Sequence, residues 1–258
     1  MEYVDIAVRA AKEAGKVHHK FFRRKINVKT KSSSFDLVTS ADIKAEAKIV
    51  EVIEKYCPGH NFLAEENKYP LRDSEYTWVI DPLDGTNNFS AGLPIFCSSI
   101  ALMKGEEIIM GVIYDASRDE LFTSLKGKGA FLNGRKIKVS PAATLKESLL
   151  ITGFYYDRGQ DMAETLDNIK DFFLRRIMGL RRLGAAALDL CYVACGRAAG
   201  FWEFHLSPWD FCAGKIIVEE AGGKVTDKRG DSIFPRQASY VVASNGKIHK
   251  KMLEVLNK

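Results

Sequence analysis

The apolar, β-branched run Tyr76–Ile80 passes without a break into Asp81-Pro82-Leu83-Asp84-Gly85-Thr86. A short apolar run with turn residues at its end reads as a buried strand. Asp81 then emerges at the carboxyl edge of a sheet, where α/β ligand sites form. Strand signals continue after it: Ile95–Met103, Ile108–Tyr114 and Leu121–Ser124 are separated by Lys104-Gly105 and Ser117-Arg118-Asp119, and Asn133-Gly134 predicts a hairpin turn. In front of it lie two helical repeats. Val4, Ala7, Ala11, Ala14, Val17 and Phe21 share a face over residues 3–24, ending in the basic, solvated run Lys20 and Arg23-Arg24-Lys25. Ile43, Ala47, Val50 and Ile53 share another, opened by the capping-box spacing Thr39…Asp42 and stopped by Pro58-Gly59. Between them come a short strand over Ile26–Lys29 and the polar loop Lys31-Ser32-Ser33-Ser34. Asn61–Ala64 is a strand end that delivers Glu65-Glu66.

The second half alternates. A strand over Ser148–Thr152 leads to a helix over 161–174, a strand over 177–182, a helix opening at Gly184 and a strand over Ala199–Phe204. Ser207-Pro208 caps and opens a helix that Gly222-Gly223 ends. Ser239–Ala243 is a further strand and Lys247–Leu256 a last helix. Repeats, low-complexity tracts and long linkers are absent from the sequence, so the expectation is an α/β fold of layered helices and sheets in one domain, 1–258, with approximate lobes 1–140 and 141–258.

Composition narrows the function. With 46% apolar and 28% charged residues, the 258-residue chain is neither a disordered tail nor a fibre nor a disulfide miniprotein. A net charge of +5 is mild: it favours anionic ligands without implying nucleic acid. No run of about 18 apolar residues suggests a membrane span, and the opening Met1-Glu2-Tyr3-Val4-Asp5 begins a helical repeat rather than an export signal. Five cysteines at low density (Cys57, Cys97, Cys191, Cys195, Cys212) read as reduced thiols, mostly buried, although Cys191 and Cys195 are spaced to pair on a helix. The expected setting is the cytoplasm.

Five acids stand at structural punctuation: Asp42, Glu65, Asp81, Asp84 and Asp210. Each has a plain structural explanation. Asp42 and Asp210 can be capping-box partners of Thr39 and Ser207, Asp84-Gly85 a turn, and Glu65-Glu66 a solvated edge. If several converge, each pair about 4 Å apart repels by roughly 4 kcal/mol at an effective dielectric near 20, and bound cations make that tolerable. An all-oxygen set without His or Cys favours Mg²⁺ or Mn²⁺. Gly85 allows close approach to the backbone, and Thr86 opens a helix whose free amides suit a phosphate.

In residues 78–89 (WVIDPLDGTNNF), 209–223 (WDFCAGKIIVEEAGG), 36–42 (DLVTSAD) and 127–140 (GKGAFLNGRKIKVS), in order and spacing, the chain resembles the inositol monophosphatase family of lithium-sensitive, magnesium-dependent sugar phosphatases. The resemblance implies a layered αβαβα sandwich, often a homodimer, two or three Mg²⁺ ions per site, and lithium inhibition. By position, Glu65, Asp81 and the Leu83 carbonyl resemble the ligands of a first metal, and Asp81, Asp84 and Asp210 those of a second, with a weaker third sharing Glu65. Asp42 and Thr86 resemble the pair that orients the attacking water. The amides of Gly85 and Thr86 would hold phosphate, Lys31 lies in a loop over the site, Glu203 would bond substrate hydroxyls, and Gly184-Ala185-Ala186 would touch the alcohol. Ala185 stands where many relatives carry Ser or Thr, and Cys212 where a small Ala is common. Arg181 and Arg182 precede Gly184 on a strand and so point to opposite faces; one of them, with Arg181 the candidate, would reach a second phosphate, the competing reading being a surface ion pair. Surface or structural roles are expected for all five histidines, with His205 near enough to Asp210 to edge the pocket.

The activity implied is Mg²⁺-dependent hydrolysis of myo-inositol 1-phosphate, a small phosphorylated polyol, without nucleic-acid or membrane partners. Fructose-1,6-bisphosphatase, alone or as a second activity, is the runner-up; histidinol phosphate and adenosine 3′,5′-bisphosphate are further substrates of such enzymes. A basic binding module that keeps the fold but not the catalysis is the non-enzymatic alternative.

Overall fold

Alanine dominates the inner stripe of the first helix, α1 (Tyr3–Phe21): Ala7, Ala10, Ala11 and Ala14 are fully buried. Its ends match the helix dipole, with Asp5 in the first turn and Lys20 in the last. The computed structural model describes residues 2–22, 28–30, 37–154 and 158–258. Lys31, the loop through Ser34, the basic run Arg23–Lys25 and the start of the 36–42 motif lie outside the described residues.

After α1 come an antiparallel pair, β1 (Val28–Thr30) and β2 (Leu37–Thr39), and the helix α2 (Ser40–Tyr56). A seven-stranded sheet follows: β3 (Asn61–Ala64), β4 (Tyr76–Asp84), then past the short helix α3 (Thr86–Ala91), β5 (Cys97–Lys104), β6 (Glu107–Asp115), β7 (Glu120–Leu125), β8 (Gly129–Leu132) and β9 (Arg135–Lys136), adjacent in that order. Only β3 and β4 are parallel; the later neighbours are antiparallel. Asn133 and Gly134 join β8 to β9 with φ of 49° and 76°, as a two-residue hairpin of this kind requires.

The rest of the chain is β10 (Leu149–Thr152), α4 (Gln160–Leu174), β11 (Gly179–Arg181), α5 (Ala186–Ala194), β12 (Gly200–Leu206), α6 (Pro208–Glu220), β13 (Lys224–Thr226), β14 (Ser239–Ser244) and α7 (His249–Leu256). Its five strands order as β11-β10-β12-β14-β13. β10 runs parallel to β11 and β12, whereas β14 is antiparallel to β12 and β13.

Three apolar cores order these parts into layers. Trp78, Ile80, Ile100 and Val112 face α1 and α2. Val79, Ala101 and Ile113, pointing the other way as the strand period demands, meet Leu188 of α5 and Phe211 and Ile217 of α6. Those helices also pack on the second sheet, and α7 covers its outer face beside α4, where Phe172, Trp202, Val242 and Met252 form the third core. The order is therefore α1/α2, seven strands, α5/α6, five strands, α4/α7: the αβαβα sandwich. Among the described residues no helix is long and apolar enough to cross a membrane. All five cysteines are free, and four are buried. Cys212, the expected packing change, is enclosed against Pro235.

The layering decides where polar chemistry can sit. Asp81 lies on the same face of β4 as Val79, and Glu203 on the same face of β12 as Phe201. Both faces look into the middle layer, so acids from the two sheets meet at the ends of α5 and α6.

Candidate active site

β4 does not stop at Ile80. Against β5 its register runs from the pair Asp81–Ser99 to the pair Asp84–Cys97, three steps against two, so one extra residue bulges out. The bulge is fixed on all sides. The Leu83 amide donates to Asp81 Oδ1 at 2.9 Å, and the Thr86 hydroxyl donates to the Leu83 carbonyl at 3.0 Å. His18 Nε2 lies 2.9 Å from the Pro82 carbonyl, which can only accept, so the ring carries its proton on Nε2. Burial pushes the His18 pKa down to about 4, which keeps the ring neutral. Gly85 then turns the chain into α3 with φ of 90°, and a side chain there would collide with the Ile95 carbonyl, its Cβ only 2.7 Å away.

Other elements bring the remaining acids. Glu65 follows β3, its amide bonded to the Ile80 carbonyl at 3.2 Å. The next residues are held by the fully buried Glu46 of α2, which accepts from the Glu66 amide (2.9 Å), Asn67 Nδ2 (2.8 Å) and the Tyr69 hydroxyl (3.0 Å). Asp210 is the third residue of α6 and closes a capping box, its Oδ2 accepting from the Ser207 amide at 2.7 Å. The first turn of α5 donates the Ala187 amide to Asp84 Oδ2 at 2.7 Å. Asn88 Nδ2 ties α3 to the approach of α5 by donating to the carbonyls of Ile95 (2.9 Å) and Leu183 (2.8 Å).

These acids repel one another in a dry place. Burial first, then the charges of Glu65, Asp84 and Asp210, push the Asp81 carboxyl well above the usual range. Burial raises Asp84 to about 6 against the pull of the Ala187 and Ala186 amides. Asp210 is pushed well up by burial, then by Glu65 and Asp84. Burial lifts Glu203 to about 8, opposed by the Arg182 guanidinium. Behind them Asp189 of α5 is raised well above its usual range by burial and by Glu203, and neither of its oxygens has a hydrogen-bond partner.

Glu65, Asp84, Gly85, Thr86, Gly184, Ala186, Glu203 and Asp210 line one cavity of about 350 Å³. Asp42, Asp81, Leu83 and Ala185 are buried and outside its lining. A roomier cleft of about 550 Å³ runs along α6, where Lys126 pairs with Glu107 and Lys215 with Glu219, and none of the acids predicted from the sequence lines it. Among the described residues no three His, Cys, Asp or Glu side chains are drawn tightly enough together to hold an ion as they stand. The acids are nonetheless close enough to raise one another's pKa. The donor set is oxygen throughout, which suits a hard divalent cation.

One expectation is corrected. Arg181 is not in the cavity wall: it ends β11, exposed, with Nη1 turned back to the Leu180 carbonyl at 2.9 Å. Arg182, the next residue, faces the cavity instead. Strand alternation separates the two side chains but does not say which face is inward. Phe154 and Phe204 also line the space without having been singled out, Trp209 of the 209–223 motif joins them, and His205 edges it, bonded to Asp161 at 3.0 Å. Gly153 was missed as well: a Cβ there would lie 1.9 Å from Glu203 Oε2, so the bare backbone makes the room for that carboxylate. Its position directly after a strand was the available signal.

A model of the inositol monophosphatase family matches residues 1–258. An inositol-1-monophosphatase of Synechocystis is 42% identical, covering 98% of this chain and 88% of that protein. A protein of Escherichia coli named Nus factor SuhB is also 42% identical, over 97% of this chain and 94% of its own length. The solved structure of an IMPase from Thermotoga maritima superposes with a TM-score of 0.91 at 36% identity, covering 100% of this chain and 97% of that one.

Proposed function

The chain belongs to the inositol monophosphatase family and is a phosphoric monoester hydrolase, and from that premise we propose that it hydrolyses myo-inositol 1-phosphate to inositol and phosphate with Mg²⁺ as cofactor. The observation that carries the reading is the convergence of the buried Asp81 with the half-buried Asp84, Asp210 and Glu65, acids from three elements whose repulsion a divalent cation would neutralise. Glu65, Asp81 and the Leu83 carbonyl would hold one ion, and Asp81, Asp84 and Asp210 a second, with a third at Glu65. When bound, such ions lower the pKa of water and take up charge on the phosphate and the departing oxygen.

The protein's own groups do the positioning that phosphoryl transfer chiefly needs. The Thr86 hydroxyl spends its proton on the Leu83 carbonyl, so its oxygen is left to accept from a water, and Asp42 is the acid paired with it in that role. The amides of Gly85 and Thr86 receive the phosphate. Glu203 and the backbone at Gly184 and Ala186 receive the hydroxyls of the alcohol. Lys31, outside the described residues, is a further candidate for the reaction through the family resemblance. A reducing, cytoplasmic setting goes with five free thiols.

The test is phosphate release from inositol 1-phosphate with Mg²⁺ and with chelator. Release that needs the metal is expected. Full activity in chelator would refute the metal role, and no release from inositol 1-phosphate or from fructose 1,6-bisphosphate would leave the binding-module reading in its place.

A further inference from the structure

Cys97 is fully buried, and no step of the proposed reaction uses it. It opens β5, and past the bulge of β4 it pairs directly with Asp84. Directly opposed residues of an antiparallel pair carry their side chains on one face. Here that sets the thiol against the carboxylate: Cys97 Sγ donates to Asp84 Oδ2 at 3.8 Å, the longer reach of a sulfur donor. A thiol is ordinarily protonated at neutral pH, and burial pushes this one higher still, so it has a hydrogen to give.

The same Oδ2 accepts the Ala187 amide at 2.7 Å. Asp84 is therefore gripped from two sides, by β5 in the seven-stranded sheet and by α5 in the middle layer. β5 is itself pinned there. Two residues on, and on the same face, Ser99 donates its hydroxyl to the Trp209 carbonyl at 3.1 Å, next to Asp210 at the start of α6. The seat also suits a thiol. Cys97 shares its core with Ala187, Leu188 and Cys191. A small hydrophobe with a weak donor fits among them, whereas a wholly apolar residue would leave the carboxylate one donor short. Asp84 lines the cavity and Cys97 does not, so the sulfur acts only through the acid.

We propose that Cys97 is a positioning residue whose thiol, together with the Ala187 amide, fixes the orientation in which Asp84 meets a divalent cation. This rests on the function proposed above. A carboxylate held by a donor from behind has less freedom to lose when an ion binds, and removing that donor weakens the ion's hold.

The experiment compares wild type, Cys97→Ala and Cys97→Ser at neutral pH. The two variants leave nearly the same space beside Asp84, and only Ser keeps a donor. Mg²⁺ binding is titrated by calorimetry without substrate, and the Mg²⁺ concentration for half-maximal turnover of inositol 1-phosphate is read beside it. Cys97→Ala is expected to weaken both by about 3- to 10-fold, the scale of one hydrogen bond. Cys97→Ser is expected to return both towards wild type. The bond itself is read by infrared spectroscopy in the S–H stretching region, with metal-free wild type set against Asp84→Asn, which leaves every cysteine in place. One S–H band is expected at lower frequency than those of the other thiols, and it should move when Asp84 loses its charge. Equal losses in Ala and Ser would reduce Cys97 to packing and overturn the proposal, as would unchanged Mg²⁺ binding in both. Should neither Cys97 variant fold, the infrared comparison decides, and the absence of a band that moves between wild type and Asp84→Asn overturns it. A wild type that neither binds Mg²⁺ nor needs it for turnover sinks the function proposed above, and the positioning role falls with it even where the displaced band shows that the bond is made.

Discussion

Replacing Asp84 by Asn should make the metal-free protein more stable while destroying its activity. In the folded state the Asp84 pKa is pushed from 3.8 up to about 6, chiefly by burial. A carboxyl with a raised folded pKa favours folding fully below its unfolded pKa and loses that advantage as pH rises through the folded one, here between about 4 and 6. The shift corresponds to roughly 3 kcal/mol at 1.36 kcal/mol per pKa unit, an upper limit because Asp84 is only half-buried at the cavity wall. Asn has the same shape, carries no charge, and its amide oxygen still accepts from the Ala187 amide. In chelator at pH 8, urea unfolding should therefore show Asp84→Asn more stable by up to about 3 kcal/mol, with an unchanged m-value. Near pH 4 the difference should vanish. Added Mg²⁺ should raise the melting temperature of the wild type more than that of the variant, since one ligand charge is gone, and turnover should collapse. A variant less stable than the parent at pH 8, or a difference that is the same at pH 4 and pH 8, would refute the reasoning that burial strains this carboxylate.

Gly153→Ala puts a Cβ where Glu203 Oε2 now lies, so kcat/KM should fall by about tenfold or more while the melting shift on adding Mg²⁺ persists; an unaltered kcat/KM would deny Glu203 its place. Glu46→Gln removes the charge that three donors share and should cost about 1–3 kcal/mol in urea unfolding and raise the Mg²⁺ concentration for half-maximal activity through the loosened Glu65 segment; the same Mg²⁺ dependence as wild type would confine Glu46 to stability. His18, at about 4 against an ordinary 6.5, stabilises the fold fully above pH 6.5 and loses that stabilisation as pH falls towards 4, by roughly 3 kcal/mol. His18→Phe should flatten that acid loss in urea titrations, and parallel curves for variant and parent would contradict it.

What could be read from the sequence was what local chemistry specifies. The strand into Asp81, the turn at Asn133-Gly134 and the cap at Ser207 each need only a few neighbouring residues, and each is where the spacing put it. β13 was not seen, because three residues are too few to show a period. His18 sits at a helix end, where exposure is the usual outcome, yet it is sealed against Pro82, Phe89 and Phe96 because the bulge folds back over the end of α1. Gly153 and Glu203 are 50 residues apart and meet only because β10 and β12 pair in parallel. The choice between Arg181 and Arg182 turned on where β11 ends, the detail that strand alternation leaves open.

The capping geometry of Asp210 and the metal role proposed for it are compatible in one arrangement. Its Oδ2 is tied to the Ser207 amide, an oxygen of Asp81 to the Leu83 amide, and an oxygen of Asp84 to the Ala187 amide. Each acid thus takes a backbone donor, two of them from around the starts of α5 and α6, where the helix dipole adds positive potential. These donors partly offset the burial that raises all three pKa values, and they fix each carboxylate on one side before any ion arrives. An ion entering such a site must still be stripped of water, but it need not order the ligands as well. The same anchoring explains why the cluster can remain slightly open without collapsing, because every acid is held from behind by the element that carries it or packs against it.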